Sequence, residues 1–259
     1  MNPESLEPIE EYTKVESIFI RRRNCLLLRG QFTPVFTGYY LHLMERNLRH
    51  TEKLDSMLKD MLAVLTLHLA ARPRAETIAW TANLRAPRTN LFATGSSMLE
   101  NIVGRAFTEN VREPDRNLLY SQTVVSDQEP RMSSVDLETN DPVEWIEQFY
   151  QKSEQRPARC FRLEDETYAL VAAQPDYDEA WLEGLDAGTA AAISENEETR
   201  LLETRRFRYF CGCGKEQILA TLAAWKGRTE ELFQGEESIV AKCPRCGARY
   251  QVAREELEE

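Results

Sequence analysis

Two close cysteine pairs, Cys211-Gly212-Cys213 and Cys243-Pro244-Arg245-Cys246, constrain the fold more than any other feature of the chain. Between them lie 29 residues, Gly214 to Lys242, enough for one supersecondary unit. Two short pairs at that separation match a tetrahedral four-thiolate zinc site, in which each turn supplies two thiolates at about 2.3 Å from the ion. In Cys243-Pro-Arg-Cys-Gly247, the backbone N–H groups of the turn can face sulfur, and the glycine lets the chain fold beneath the metal. The expectation is one Zn2+ held by Cys211, Cys213, Cys243 and Cys246. Such a site is closed, with no open position for hydrolytic chemistry.

The Cys-x-Cys half is uncommon in purely structural zinc sites. Thiols one residue apart can pair only in a strained geometry, and strain raises the reduction potential toward reversibility. Loss of metal also frees four thiolates together. The spacing therefore supports a redox switch. The other two cysteines, Cys25 and Cys160, sit inside apolar strand patterns and are read as buried, inert thiols.

Charge divides the 259 residues further. The formal net charge is −11. Twelve acidic residues and a single basic one, Arg200, fall between Glu164 and Glu203, so that stretch alone accounts for the excess. It is read either as a solvated acidic face or linker, or as a self-repelling segment that unfolds on a signal. The acidic balance argues against nucleic-acid binding and against an anionic membrane surface. The triplet Arg21-Arg22-Arg23 is read as a solvated edge strand in preference to a nucleic-acid patch.

No membrane span or secretory leader is expected. The longest apolar run, Met61 to Ala71, is interrupted by Thr66 and His68 and reaches about half of the roughly 20 residues that a spanning helix needs. The first residues, Met1-Asn-Pro-Glu-Ser-Leu-Glu, lack a basic stretch followed by an apolar one. The chain is expected in the cytoplasm, where cysteines are kept reduced.

Residues 1–15 read as a loose acidic arm. Ser17 to Phe32 reads as two strands with a turn near Asn24. Leu54, Met57, Leu58, Met61, Leu62, Leu65 and Leu69 form one apolar helical stripe, ended by Pro73. His42, His50 and His68 show no metal spacing and are read as packing or surface residues. Between 76 and 138, five short β-favouring runs separated by Pro, Gly, Asn or Asp predict an antiparallel sheet with hairpin turns. Asp141-Pro142-Val143-Glu144 opens a helix, with Asp141 as cap, and strands follow over 158–163 and 168–173. In the acidic stretch, Trp181, Leu182, Leu185 and Ile193 suffice for one amphipathic helix that needs a docking surface.

Tyr209-Phe-Cys-Gly-Cys-Gly-Lys-Glu-Gln-Ile218, the helical stretch through Phe233, and Ile239-Val-Ala-Lys-Cys-Pro-Arg-Cys-Gly-Ala-Arg-Tyr250 together resemble the redox-switch domain of the heat-shock protein 33 family. Tyr250 and the acidic run Glu255–Glu259 fit the aromatic and acidic terminal helix that follow the second pair in that family, and the segment Phe149-Tyr-Gln-Lys-Ser-Glu-Gln-Arg-Pro-Ala-Arg159 resembles the same family independently. The likeness is good over residues 130–259 and weaker over 16–128.

The resemblance implies an α+β chain in three parts. Residues 1–175 would be a chaperone domain of antiparallel sheet and helices, 176–206 a helical acidic linker, and 207–259 a small zinc-binding α+β domain. It implies a redox-regulated holdase that acts without ATP. The reduced, zinc-bound form would be inactive. Oxidation would form disulfides Cys211–Cys213 and Cys243–Cys246, release the metal, unfold linker and C-terminal domain, and expose apolar surface to unfolding client proteins. The active form would dimerise.

Two other classes compete. One is a constitutive zinc-stabilised interaction module. The other is a thiol–disulfide oxidoreductase using Cys243 and Cys246, which would need the pair at a helix N-terminus after a strand. Ala248 to Val252 reads as a strand, which speaks against the enzyme. No nucleophile elbow, phosphate-binding glycine loop or histidine–zinc helix motif is present, so no catalytic residue is assigned.

Overall fold

The computed structural model describes residues 11–258, so most of the expected acidic arm lies outside the described residues. A ten-stranded sheet forms the body. Its strands are β1 (Thr13–Ile20), β2 (Cys25–Gln31), β3 (Glu76–Leu84), β4 (Thr89–Ser96), β5 (Asn101–Phe107), β6 (Leu118–Val125), β7 (Arg131–Asp136), β8 (Ala158–Arg162), β9 (Thr167–Ala173) and β10 (Thr199–Tyr209). They lie in the order β7-β6-β3-β4-β5-β10-β1-β2-β9-β8. All neighbours are antiparallel except β5 and β10, which run parallel through only Asn101↔Arg208 and Ile102↔Tyr209. Strand β10 therefore joins two antiparallel halves, and its long ladder to β1 spans Thr13↔Phe207 to Ile20↔Thr199. The five runs expected between 76 and 138 are β3 to β7.

Helices α1 (Thr33–Glu45), α2 (Glu52–Ala70) and α3 (Pro142–Phe149) cover one face. Thr51 caps α2 by accepting from the Leu54 N–H, and Asp141 caps α3 by accepting from the Val143 N–H at 2.9 Å. The stripe expected on α2 is wider than one face. Met57 and Leu58 are buried, and from Asp60 to Ala70 the whole circumference is. The polar residues inside that run are satisfied locally. Asp60 accepts from Arg162 and Tyr168, Thr66 donates to the Leu62 carbonyl, and His68 Nδ1 lies 3.1 Å from the Tyr150 hydroxyl. Burial pulls the His68 pKa down to about 3, so the ring is neutral.

The other face is covered over β1, β2, β8 and β9 by the acidic stretch. It forms three short helices rather than one, α4 (Glu179–Glu183), α5 (Ala187–Ala191) and α6 (Ile193–Asn196). Leu182, Leu185, Ala190 and Ile193 pack there against Ile18, Ile20, Cys25, Leu27, Phe161, Ala169 and Val171. Full burial of a leucine or isoleucine contributes about 1.5–3 kcal/mol, so three such side chains anchor an otherwise charged segment. The remainder of the expected linker, from Thr199, is strand β10.

The edge-strand reading of Arg21-Arg22-Arg23 is corrected. These residues form the β1–β2 turn, with Asn24 at φ +45°, and both strands are interior to the sheet. Helix α1 is not evident in the sequence pattern. Its apolar positions are interleaved with Thr37, Gly38 and His42, which blurs the period.

After β10 the chain forms α7 (Lys215–Leu222), α8 (Thr229–Phe233), the hairpin β11 (Ser238–Lys242) and β12 (Arg249–Ala253), and α9 (Arg254–Glu258). A small core of Ile218, Phe233, Cys243, Cys246, Ala248, Val252 and Leu257 closes against Val103 of β5. No helix among the described residues is long and apolar enough to cross a membrane.

Candidate metal centre

Four cysteines meet where β10 ends and the β11–β12 hairpin turns. The hairpin register runs to Lys242↔Arg249 and leaves Cys243–Ala248 as the connecting loop. Within it the Cys243 N–H donates to the Ala248 carbonyl at 2.8 Å and the Gly247 N–H to the Cys243 carbonyl at 2.9 Å. Gly247 has φ +78°, a conformation that side chains resist, and a Cβ there would also meet Leu48 at 3.3 Å. Strand β10 delivers the other pair: the Phe210 N–H donates to the Ile102 carbonyl at 3.0 Å, and Gly212, at φ +66°, turns the chain so that Cys211 and Cys213 face the hairpin loop.

The four Sγ atoms all lie within 4.8 Å of one another. Cys211 and Cys243 sulfurs are 3.7 Å apart, and those of Cys213 and Cys246 are 3.4 Å apart. A tetrahedron with Zn–S bonds of about 2.3 Å has edges of about 3.8 Å. The set can therefore hold a metal ion, and its donor chemistry suits zinc. Cys243 and Cys246 are buried, whereas Cys211 and Cys213 are partly exposed. The two closest approaches each join one cysteine of the first pair to one of the second.

Charge is unevenly shared. Contacts with Cys211, then His42 and the Ala248 N–H, lower the Cys246 thiol pKa. The same contact with Cys246 and burial push Cys211 up.

The body supplies the surroundings. Arg105 of β5 donates from Nη1 to the Cys243 carbonyl at 3.0 Å, and His42 Nε2 lies 3.1 Å from the Cys246 carbonyl. The Tyr250 hydroxyl lies 3.1 Å from both Sγ and the carbonyl oxygen of Cys213, and Arg46 sits over the Tyr250 ring at 5.9 Å. A divalent ion with four thiolates carries a net −2, so cations at this rim are well placed. The sequence pattern marks His42 only as a packing or surface residue and does not single out Arg105. Both are distant in sequence from the cysteines, and nothing in local spacing reveals them.

Cys25 and Cys160 lie apart from this site in different apolar clusters, one beneath the acidic stretch and one on the α2 side. Burial pushes the Cys25 thiol up to about 12 and raises Cys160 as well, which keeps both protonated. The Cys243–Cys246 pair sits in a hairpin turn followed by strand β12, not at the start of a helix, which is unlike the oxidoreductase arrangement.

Comparison with known proteins adds to this geometry. The family model described as Hsp33 protein matches residues 162–253. A 33 kDa chaperonin of Caldanaerobacter subterraneus is 38% identical over 69 residues, 26% of this chain and 24% of that protein. A 33 kDa chaperonin of Lactobacillus delbrueckii is 26% identical over 103 residues, 39% of this chain and 35% of that one. The matched part thus spans about a quarter to a third of the length of these curated relatives. The crystal structure of the 33 kDa chaperonin (heat shock protein 33 homolog) of Thermotoga maritima superposes with a TM-score of 0.73 at 14% identity, covering 95% of this chain and 96% of that one. At that identity the superposition speaks for the fold. In sequence over part of its length, and in fold over nearly all of it, the chain is similar to the heat-shock protein 33 family, and the named relatives are 33 kDa chaperonins.

Proposed function

We propose, with the heat-shock protein 33 family as premise, that the chain is a redox-regulated holdase chaperone of the cytoplasm that binds unfolding proteins without ATP. The observation that carries this reading is that strand β10 links two features: four convergent thiols with a small core built around them at one end, and at the other an acidic segment folded over an apolar sheet face. In the reduced form Cys211, Cys213, Cys243 and Cys246 would hold one zinc ion, which supplies a tetrahedral tie between β10 and the β11–β12 hairpin. The module's own core is small, so much of its folding free energy would come from that tie.

Oxidation would convert the four thiols into two disulfides. From zinc-bound thiolates each disulfide forms one S–S bond and gives up two electrons, which with two protons from water reduce one hydrogen peroxide to two waters while the zinc ion leaves. The family resemblance favours Cys211–Cys213 and Cys243–Cys246 as the pairs. Sulfurs engaged in disulfides no longer offer four thiolate ligands, and the module would lose its tie. Residues 1–175 would then act as the client-binding part, 176–206 as the releasable cover, and 207–259 as the switch. Strand β10 runs across the last boundary, which gives the switch a direct connection to the sheet. Uncovering Ile18, Ile20, Leu27, Phe161 and Val171 would give unfolded clients an apolar face, and also a surface for a second copy.

The test is suppression of thermal aggregation of a model client by reduced, zinc-loaded and by peroxide-oxidised, zinc-free protein. The expected result is suppression by the oxidised form only. Equal activity in both states would support a constitutive zinc module instead, and no activity in either would remove the chaperone reading.

A further inference from the structure

The Arg21-Arg22-Arg23 turn follows the end of the β1–β10 ladder away from the four-cysteine centre, and its charges face the acidic segment. Arg23 Nη1 lies 2.7 Å from Asp178 Oδ2, and Arg23 Nε donates to Glu197 Oε1 at 3.1 Å. One guanidinium therefore bridges the residue that caps α4 and the residue that follows α6. Arg21 Nη1 is 3.1 Å from Glu198 Oε1, and Arg22 Nε is 3.6 Å from Glu198 Oε2. Arg23 also lies over the Trp181 ring, 5.5 Å from its centroid. Main-chain contacts repeat the pattern. The Asp178 N–H donates to the Arg23 carbonyl and the Arg21 N–H to the Glu198 carbonyl, both at 3.0 Å, while Asn24 Nδ2 donates to the Asp176 carbonyl at 2.9 Å.

We propose that the β1–β2 turn is an ionic clasp that fastens both ends of the acidic segment, with Arg23 as the tie between them, and that this clasp sets a threshold for release separate from the cysteines. From Asp178 to Glu198 the chain has seven acidic residues and no basic one. Their mutual repulsion favours opening, and the fully buried apolar contacts lie in the middle, through Leu182, Leu185, Ala190 and Ile193, with Tyr177 and Trp181 only partly buried at the start. The clasp neutralises the ends at the two places where the segment meets the sheet. Arg23 and Asp178 are about one-third exposed, and Glu197 is 14% exposed. Pairs at that depth are weakened by salt, since screening shortens to about 3 Å at about 1 M ionic strength. Release is therefore sensitive to ionic strength while the four thiols stay reduced. The proposal rests on the functional reading only in taking uncovering of the sheet to matter, and its test reads uncovering itself.

Cys25 is the reporter. Its side chain is fully buried beneath the segment, where the thiol donates to the Arg23 carbonyl at 3.3 Å. The experiment uses the full chain, reduced and zinc-loaded, and follows alkylation of Cys25 by peptide mass spectrometry, with cleavage between 179 and 196 by a non-specific protease as a second readout. Arg23→Gln is expected to speed both about tenfold at low salt. Arg23→Lys should fall between, because an ammonium cannot hold two carboxylates in a fork. Wild type in about 1 M sodium chloride should approach Arg23→Gln. Glu197→Gln breaks the same bridge from the other side without altering the turn, so it decides the matter if Arg23→Gln fails to fold. Wild-type rates in Glu197→Gln, with zinc content unchanged and no salt dependence, would overturn the clasp. Faster uncovering without any aggregation suppression would leave the clasp standing and remove the chaperone reading.

Discussion

Arg105 on β5 donates to the main-chain oxygen of Cys243, 138 positions further along the chain, at 3.0 Å. His42 on α1 lies against the carbonyl of Cys246. The body thus grips the second cysteine pair by its backbone, and placement of two candidate ligands depends on docking of the whole module. Docking and metal retention should be thermodynamically linked.

Arg105→Gln should loosen that grip. A partly buried hydrogen bond from a charged donor contributes about 1.5–3 kcal/mol, so zinc loss to a chelator is expected to accelerate roughly tenfold or more. Release followed with a coloured chelator under reducing conditions checks this. An unchanged rate would show that the module holds its ion without help from the sheet.

Replacing Cys246 by Ser removes the most buried of the four cysteines. Zinc content is expected to fall from one ion per chain to well below one. Amide exchange should then become fast over residues 210–258 while α2 stays protected, since the module's folding is tied to its metal and the α2 core is not.

Peptide mapping of the oxidised protein tests the pairing. The expected products are Cys211–Cys213 and Cys243–Cys246. Cross-linked peptides joining Cys211 to Cys243 and Cys213 to Cys246 would show instead that the short contacts of 3.7 and 3.4 Å direct the oxidation.

His68 should make the body acid-sensitive. Its pKa is about 3 folded, against about 6.5 unfolded, so the unfolded chain binds the extra proton. The associated stability is fully present above pH 6.5 and falls as pH drops toward 3, by roughly 5 kcal/mol in all. His68→Gln keeps a partner for Tyr150 and does not titrate. Its urea midpoint should decline less than wild type's between pH 6.5 and 5, above the usual carboxylate range. Parallel declines would show that other groups set the slope.

Leu182→Ala should undermine the cover from its middle. Its side chain is 2% exposed, and truncation of a buried leucine costs about 2–5 kcal/mol. Protease cleavage between 179 and 196 is expected in the reduced, zinc-loaded variant and not in the wild type under the same conditions.

The cysteine site was legible because four thiols in two short pairs carry their own geometry. The strands between 76 and 138 were legible because β-favouring runs alternate with turn residues. Strand β10 was not. Its sequence, Thr-Arg-Leu-Leu-Glu-Thr-Arg-Arg-Phe-Arg-Tyr, reads as polar, yet Arg205 is buried and donates to the carbonyls of Leu69, Arg72 and Ser97. An arginine paired with main-chain oxygens from distant loops leaves no periodic trace. The same holds for Arg105 and His42, whose partners are carbonyls of residues more than a hundred positions away. The arginine turn illustrates a second kind of gap. Its charges are visible in the sequence, but which acids they meet is decided by the fold.

Strand β10 also sets a timetable. On the ribosome β1 emerges well before its partner, because the strand that pairs Thr13 with Phe207 is made almost two hundred residues later. At roughly 5–20 residues per second, β1 waits on the order of 10–40 s with one ladder of N–H and C=O groups open. Until then the two halves of the sheet have no shared strand, and non-local pairing of this kind is slow. A nascent chain of this protein is therefore itself in need of shelter, and completes its sheet only once β10 has been synthesised.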